Sequence, residues 1–387
     1  MAPAYSFKGK GRVTCLLLSL ALVSLCPHAH SALTDSWWQR LSTLGTWPWQ
    51  QHSSSNPSAT TDVVLDKQSK HLAAAGPAVA ASGQELDDVQ TVWSPEAVQL
   101  LPRLAEFADE ENLDLERAKR MGKITSVAYC SDAAVIQAWT CTRCQRVDKY
   151  KVYEVVFDQQ WDLLGYVGYD EAQDAITVAF RGTDSSNWGN WLNNLKAWRA
   201  NQMLPIPEAP HAMVHAGFYN LWSKSSLQAN ITRLVGELVA LHPTPRLFVT
   251  GHSMGAALAN LCALDLKFAH QFTEVRSWTF GSPRVGNLAW QQLFAQHVTE
   301  SWRFTHNRDV VPSLPPQMIG FHHVGREAWT VDMSGQGGLI ELKILVCDSS
   351  GEDPSCHNSA CMLGLCTSVA DHLVYLGIEM YRDASEC

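Results

Sequence analysis

The hydrophobic positions along the chain change their period several times, and each change marks an element. "LLGYVGYD" (163–170) and "AITVAFRG" (175–182) are short β-branched and aromatic runs that predict strands. In "SSLQANITRLVGELVALHP" (225–243), Leu227, Ile231, Leu234, Val235 and Leu238 fall on one helical face. "RLFVT" (246–250) predicts another strand, and an alanine- and leucine-rich helix follows Ser253. A strand in "SWTFGSPR", a helix near "LAWQQLFAQHV" and a strand at "WRFTH" complete the series. Strand and helix in alternation predict an α/β fold with a largely parallel central sheet.

Ahead of this pattern, residues 33–92 are rich in Ser, Ala, Gln and Thr and show no sustained period, apart from an aromatic patch at Trp37, Trp38, Trp47 and Trp49. They predict a flexible pro-segment or linker, with a small tryptophan-bearing binding segment as the alternative. "SPEAVQLLPRLAEF" then opens a helix: Ser94 suits the N-cap, Pro95 the first turn, and Glu96 complements the dipole. The extreme N-terminus has a basic lead (Lys8, Lys10, Arg12), an apolar run over 13–26 and small residues near 29–32, which predicts a cleavable secretory signal. That run falls short of the roughly 20 residues needed to span a bilayer. The expected division is therefore 1–31 signal peptide, 32–93 pro-segment or linker, and 94–387 α/β domain.

Composition narrows the class. The 387 residues are 46% hydrophobic and 17% charged, enough for one large core or two moderate ones. Loss of the signal removes three basic and no acidic side chains, taking the formal charge from −9 to −12. Such a surface excludes nucleic acid as an expected partner and leaves apolar contact as the way onto a membrane. Of 11 cysteines, Cys15 and Cys26 leave with the signal. Nine then remain in an oxidising compartment, so eight can pair and one is left over. Cys262, in the apolar helix, is the candidate free thiol. The Cys141/Cys144 pair reads as a short structural loop, with a redox or zinc site as the alternative.

"GHSMG" raises the question of a nucleophile. G-x-S-x-G alone arises by chance in about one chain in ten of this length. Here it follows a strand and precedes a helix, the setting that forces a serine onto an exposed elbow. Gly251 and Gly255 have a physical role there, because side chains would collide with the neighbouring strand and helix. A nucleophilic Ser253 needs a histidine base and an acid, in chain order Ser, acid, His. Asp309, in "WRFTHNRDVVPSLPP", lies just beyond a strand and can reach inward. Position alone leaves His322, His323, His357 and His372 open, with His372 in "VADHLVYLG" preferred. For the oxyanion hole, the N–H of Met254 and the loop of "VAFRGTDS", where Thr183 follows Gly182, are the candidates. In "SSNWGNWLNNLKAW", Trp188, Trp191, Leu192 and Leu195 recur at i, i+3, i+4, i+7, which fits a short lid or an ordinary packed helix.

From about residue 128 to 387, the ordered motifs "FRGT", "NWLNNL", "VHAGFYNLW", "GHSMGAAL", "FGSPRVGN", "NRDVVPSLPP" and "DHLVYLG" resemble the fungal-type, or class 3, triacylglycerol lipase family. The resemblance implies an α/β-hydrolase fold with a helical lid, a triad of Ser253, Asp309 and His372, and an oxyanion hole of Thr183 and Met254. It also implies bridges joining Cys130 to Cys387, Cys141 to Cys144 and Cys347 to Cys356, with Cys361 and Cys366 as an added pair before His372. Met254 and Ala256 depart from the family, where leucine and glycine are common, and leave the acyl pocket's shape open. The expected protein is a secreted, monomeric serine lipase, without metal, cofactor or transmembrane segment, that cleaves acylglycerol esters at a lipid–water interface. An esterase or phospholipase acting on polar lipids or cell-wall esters is the alternative on the same scaffold. A non-catalytic lipid or carbohydrate binder is the rival from another class. Asn230 heads a single glycosylation sequon, "NIT", inside a predicted helix.

Overall fold

The strands in chain order are β1 (Tyr150–Asp158), β2 (Leu163–Asp170), β3 (Ala175–Phe180), β4 (Asn201–Met203), β5 (Met213–His215), β6 (Arg246–His252) and β7 (Glu274–Phe280). They continue as β8 (Gly286–Asn287), β9 (Glu300–His306), β10 (Phe321–His322), β11 (Arg326–Ser334), β12 (Ile340–Val346), β13 (Val374–Tyr375) and β14 (Ile378–Glu379). The computed structural model describes residues 90–94, 113–130, 132–183, 201–203, 209–243, 246–270, 272–335, 339–361, 366–381 and 385–387. Eight strands form one sheet in the order β1-β2-β3-β6-β7-β9-β11-β12. The five from β3 to β11 pair in parallel, while β1, β2 and β12 close the two sides in antiparallel fashion.

The described helices are α1 (Leu115–Val127), α2 (Ala133–Ala138), α3 (Ala216–Ser223), α4 (Leu227–Leu241), α5 (Met254–His270) and α6 (Leu288–His297). All six residues of β3 and all but the first of β6 are buried, as expected of central parallel strands covered on both faces. The five residues read as one face of α4 are all buried, joined by Gln228. In α5 every residue from 254 to 266 is buried, and its alanines let the helix lie close to the sheet. Asp114 caps α1, its carboxylate accepting the Arg117 N–H at 2.9 Å. The buried face of α1 joins Phe248, Trp278, Phe280 and Phe304 in one hydrophobic cluster. Each buried phenylalanine there contributes about 2–3 kcal/mol of transfer free energy.

The domain begins earlier than the sequence pattern suggests. Trp93 pairs with Met333 of β11 in a parallel bridge and is buried among Trp329, Val331 and Leu345. Residues 91–93, read from composition as the end of a flexible segment, are therefore part of the packed structure; they lie against the domain through contacts that no local pattern encodes. The expected helix after Ser94 lies outside the described residues.

Candidate active site

Because β3, β6, β7 and β9 run side by side in one direction, the loops leaving their C-terminal ends share one edge of the sheet, where ligands bind in open parallel sheets. Those loops carry Thr183, Ser253, Gly281 and Asp309 respectively.

Ser253 has φ of +59°, a left-handed conformation that costs a side-chain-bearing residue about 1–3 kcal/mol. The bend is held by its N–H, which donates to the Phe280 carbonyl at 2.9 Å, and by its carbonyl, which accepts the Ala256 N–H at 3.0 Å. A Cβ on Gly255 would lie 2.6 Å from the carbonyl oxygens of both Phe180 and Arg181, and one on Gly251 would lie 2.9 Å from the Ala256 nitrogen. Helix α5 starts at Met254, so the serine stands at the positive end of a helix dipole. Its hydroxyl is buried and makes no hydrogen bond to another described residue.

His372 lies on a 3₁₀ turn, Ala370–Leu373, and its Nδ1 is 2.7 Å from Asp309 Oδ2, with both side chains fully buried. Asp309 Oδ1 accepts the Val311 N–H at 2.8 Å, and the Tyr375 hydroxyl donates to Oδ2. Burial and the Asp309 charge raise the Tyr375 pKa well above the usual phenol range, so the hydroxyl keeps its proton and its donor role. The His372 ring lies over the chain beside β6: a Cβ on Gly281 would come within 2.7 Å of its Cε1, and the neighbouring Phe280 carries the carbonyl that holds Ser253.

A second set of hydrogen bonds runs beneath these residues. The Gly182 N–H donates to the Tyr129 hydroxyl oxygen at 3.1 Å, and that hydroxyl lies 2.5 Å from His252 Nδ1. His252 Nε2 then meets the His372 carbonyl at 2.8 Å. Burial, reinforced by His372, holds His252 well below the usual imidazole range, so one ring nitrogen donates to the carbonyl while the other accepts from the tyrosine. Thr183 follows Gly182 and is partly exposed, its Oγ1 3.6 Å from Met254 Sδ. A Cβ on Gly182 would sit 2.9 Å from Ser253 Cβ, so this loop passes directly against the serine.

Of the alternatives, His322 is in β10, His323 Nε2 meets the Pro312 carbonyl at 2.8 Å, and buried His357 bonds the Asp309 backbone rather than its carboxylate. Trp188, Trp191, Leu192 and Leu195, read as a lid, lie outside the described residues. Asn230 lies partly exposed in α4. Tyr375 and His252 went unassigned in the sequence although both lie inside quoted motifs, "DHLVYLG" and "GHSMG"; Tyr129 carried no signal of its own.

Disulfides join Cys130 to Cys387, Cys141 to Cys144, Cys347 to Cys356 and Cys361 to Cys366, leaving Cys262 as a buried thiol. Two clusters of metal-ligating residue types, His357 with Cys361 and Cys366, and Asp353 with Cys347 and Cys356, have their sulfurs committed to these bridges.

Fold and site geometry define an α/β-hydrolase. The class 3 lipase family model matches residues 177–319. A Rhizomucor miehei lipase is 31% identical over 261 residues, covering 66% of this chain and 67% of that protein. Secreted mono- and diacylglycerol lipase A of Penicillium camembertii is 31% identical over 218 residues, 55% of this chain and 66% of that one. A solved triacylglycerol lipase whose catalytic centre is a serine-protease triad superposes with a TM-score of 0.58 at 27% identity, covering 70% of this chain and 97% of that chain. The chain thus spans about two thirds of the length of these curated relatives. It belongs to the class 3 lipase family and is an enzyme of that ester-hydrolase family.

Proposed function

We propose that the protein is a secreted serine lipase that hydrolyses acylglycerol esters through an acyl-enzyme on Ser253. The observation that carries the reading is the buried 2.7 Å contact between His372 Nδ1 and Asp309 Oδ2, beside a serine held on a left-handed elbow. His372 Nε2 takes the hydroxyl proton as Ser253 Oγ attacks the ester carbonyl; Asp309 fixes the tautomer and stabilises the imidazolium. The Met254 N–H, at the start of α5, and Thr183, in the loop after β3, receive the oxyanion. The imidazolium then protonates the departing alkoxide, and water, activated by the same histidine, releases the fatty acid. The triad, the ester and water supply every proton and electron pair in this sequence.

In the same reading, residues 1–31 direct secretion, and the enzyme acts as a monomer at a lipid–water interface. Four disulfides support an oxidising compartment. Among the described residues no helix is long and apolar enough to cross a membrane.

Ser253→Ala is expected to lower turnover of tributyrin by about 10⁴-fold or more while leaving the circular dichroism spectrum and melting temperature unchanged. Near-normal activity in that variant sinks the assignment. For the wild type, a steep rise in rate beyond the solubility limit of tributyrin supports an interfacial lipase, and plain saturation below it points to an esterase.

A further inference from the structure

Thr91 lies 280 positions before Asp371 and holds it twice: its backbone N–H donates to Oδ1 and its hydroxyl to Oδ2, both at 2.7 Å. The segment is fastened on its other side as well. The Thr91 carbonyl accepts from Asn307 Nδ2 at 2.8 Å, and Trp93 Nε1 donates to Asn307 Oδ1 at 3.2 Å. Trp93 also exchanges backbone bonds with β11, its N–H donating to the Asp332 carbonyl and its own carbonyl accepting the Ser334 N–H, each at 2.9 Å. Asp371 immediately precedes His372, and Asn307 stands two residues before Asp309. The segment therefore grips the side chains of Asp371, one residue before the histidine, and Asn307, two residues before the aspartate.

Asp371 is a fully buried carboxylate, and its other donors are the Arg308 N–H at 3.1 Å and a long contact to Asn307 Nδ2 at 3.5 Å. Among the described residues Thr91 thus provides the two shortest of its four hydrogen bonds. Without them the carboxylate keeps the neighbouring charge of His306 but loses its two shortest hydrogen bonds, and the turn that carries His372 loses its tightest anchor.

We propose that residues 91–93, ahead of the stretch that resembles the family, form a positioning strap: Thr91 grips Asp371 and so keeps the His372 turn in register with Asp309. The inference rests on His372 being the general base. It makes Thr91 a positioning residue and gives the segment before the catalytic domain a part in turnover. A proteolytic cut after residue 93 separates the strap from the domain, so full activity requires any processing to fall ahead of Thr91.

The test uses the full chain, its Thr91→Val and Thr91→Ser variants, and His372→Gln, on soluble p-nitrophenyl butyrate. Valine keeps the shape and the N–H but removes the hydroxyl; serine restores the donor. The expected result is a kcat lower by about 10- to 100-fold in Thr91→Val, with KM unchanged, a melting temperature lower by a few degrees but the protein folded at the assay temperature, and both kcat and melting temperature regained in Thr91→Ser. Trp93→Phe, which retains the packing but drops the bond to Asn307, shows the same kcat-selective loss in weaker form. A wild-type kcat in Thr91→Val overturns the strap, and so does an equal loss in the valine and serine variants that follows loss of folded protein. His372→Gln separates the two levels: if it stays active, the general-base reading itself fails and the strap with it. If His372→Gln is dead while Thr91→Val is normal, only the strap fails.

Discussion

The elbow around Ser253 and the turn around His372 serve one site, yet they are built in opposite ways. The elbow is continuous in sequence, a strand, a turn and a helix from 246 to 270, and its shape depends on atoms that are missing: Gly251 and Gly255 leave room that a single methyl would fill. The histidine turn is gathered from distant pieces, with Asp309, His306 and Thr91 reaching it across 63, 65 and 280 positions, and its shape depends on donors that are present. The elbow should therefore break when something is added, and the turn when something is taken away.

The largest effect is expected from Gly255→Ala. Its Cβ would lie 2.6 Å from two backbone carbonyl oxygens that belong to the end of β3 and the loop toward Thr183, so neither can yield without moving the Gly182–Thr183 loop that passes against Ser253. Overpacking of this kind costs about 1–3 kcal/mol or more, and displacement of the elbow by about an ångström adds a loss of about 100-fold in kcat. Thermal melts and initial rates on a soluble ester check both; a variant with normal stability and rate shows that the elbow is not limited by space. The opposite kind of damage is Tyr375→Phe, which deletes one oxygen. Asp309 keeps His372 and the Val311 N–H but loses its phenolic donor. A hydrogen bond to a charged group is worth about 1.5–3 kcal/mol, so a fall in kcat of about 10-fold with KM unchanged is expected. An unaltered kcat shows that the aspartate is held well enough by its remaining partners.

The same contrast explains what could be read from the chain. The elbow was legible because its cause is local: β-branched residues before a glycine-flanked serine, small residues after it, and the face of α4 behind it all sit within one stretch. His372 was not legible in that way. Position left four histidines open, and the choice came from the resemblance, because the contacts that single it out connect loops after β9 and before β13. Thr91 and Trp93 were invisible for the same reason carried further: they lie in a stretch whose composition reads as linker, and only the receiving surface of Trp329, Val331 and Leu345 gives the tryptophan a place. The pairing of eight cysteines is likewise a long-range property, since Cys130 and Cys387 are 257 positions apart.

The effect that leaves kcat untouched, and the one that separates the two regions by sign, is on stability against pH. His306, at the end of β9, has Nδ1 2.8 Å from the Asp371 carbonyl and Nε2 3.0 Å from Asp332 Oδ2. Burial opposes its charge, but the hydrogen bond and charge of Asp332, with the charge of Asp371, outweigh it, and the imidazole is pushed up to about 9. A group whose pKa rises on folding stabilises fully below its ordinary value near 6.5 and loses that contribution as pH climbs through about 9. His252, under the elbow, is displaced the other way, so its effect is confined to pH below about 6.5, where acid destabilises by protonating the unfolded chain. The melting temperature is therefore expected to fall by several degrees between pH 6.5 and 9, on the order of 3 kcal/mol in stability, because the turn gives up its imidazolium while the elbow is unaffected. In His306→Gln the protein should melt lower at pH 6, and the decline toward pH 9 should flatten. An equal slope in the variant and the wild type would mean that the turn is not held by this charge, and that its hydrogen bonds carry the turn alone.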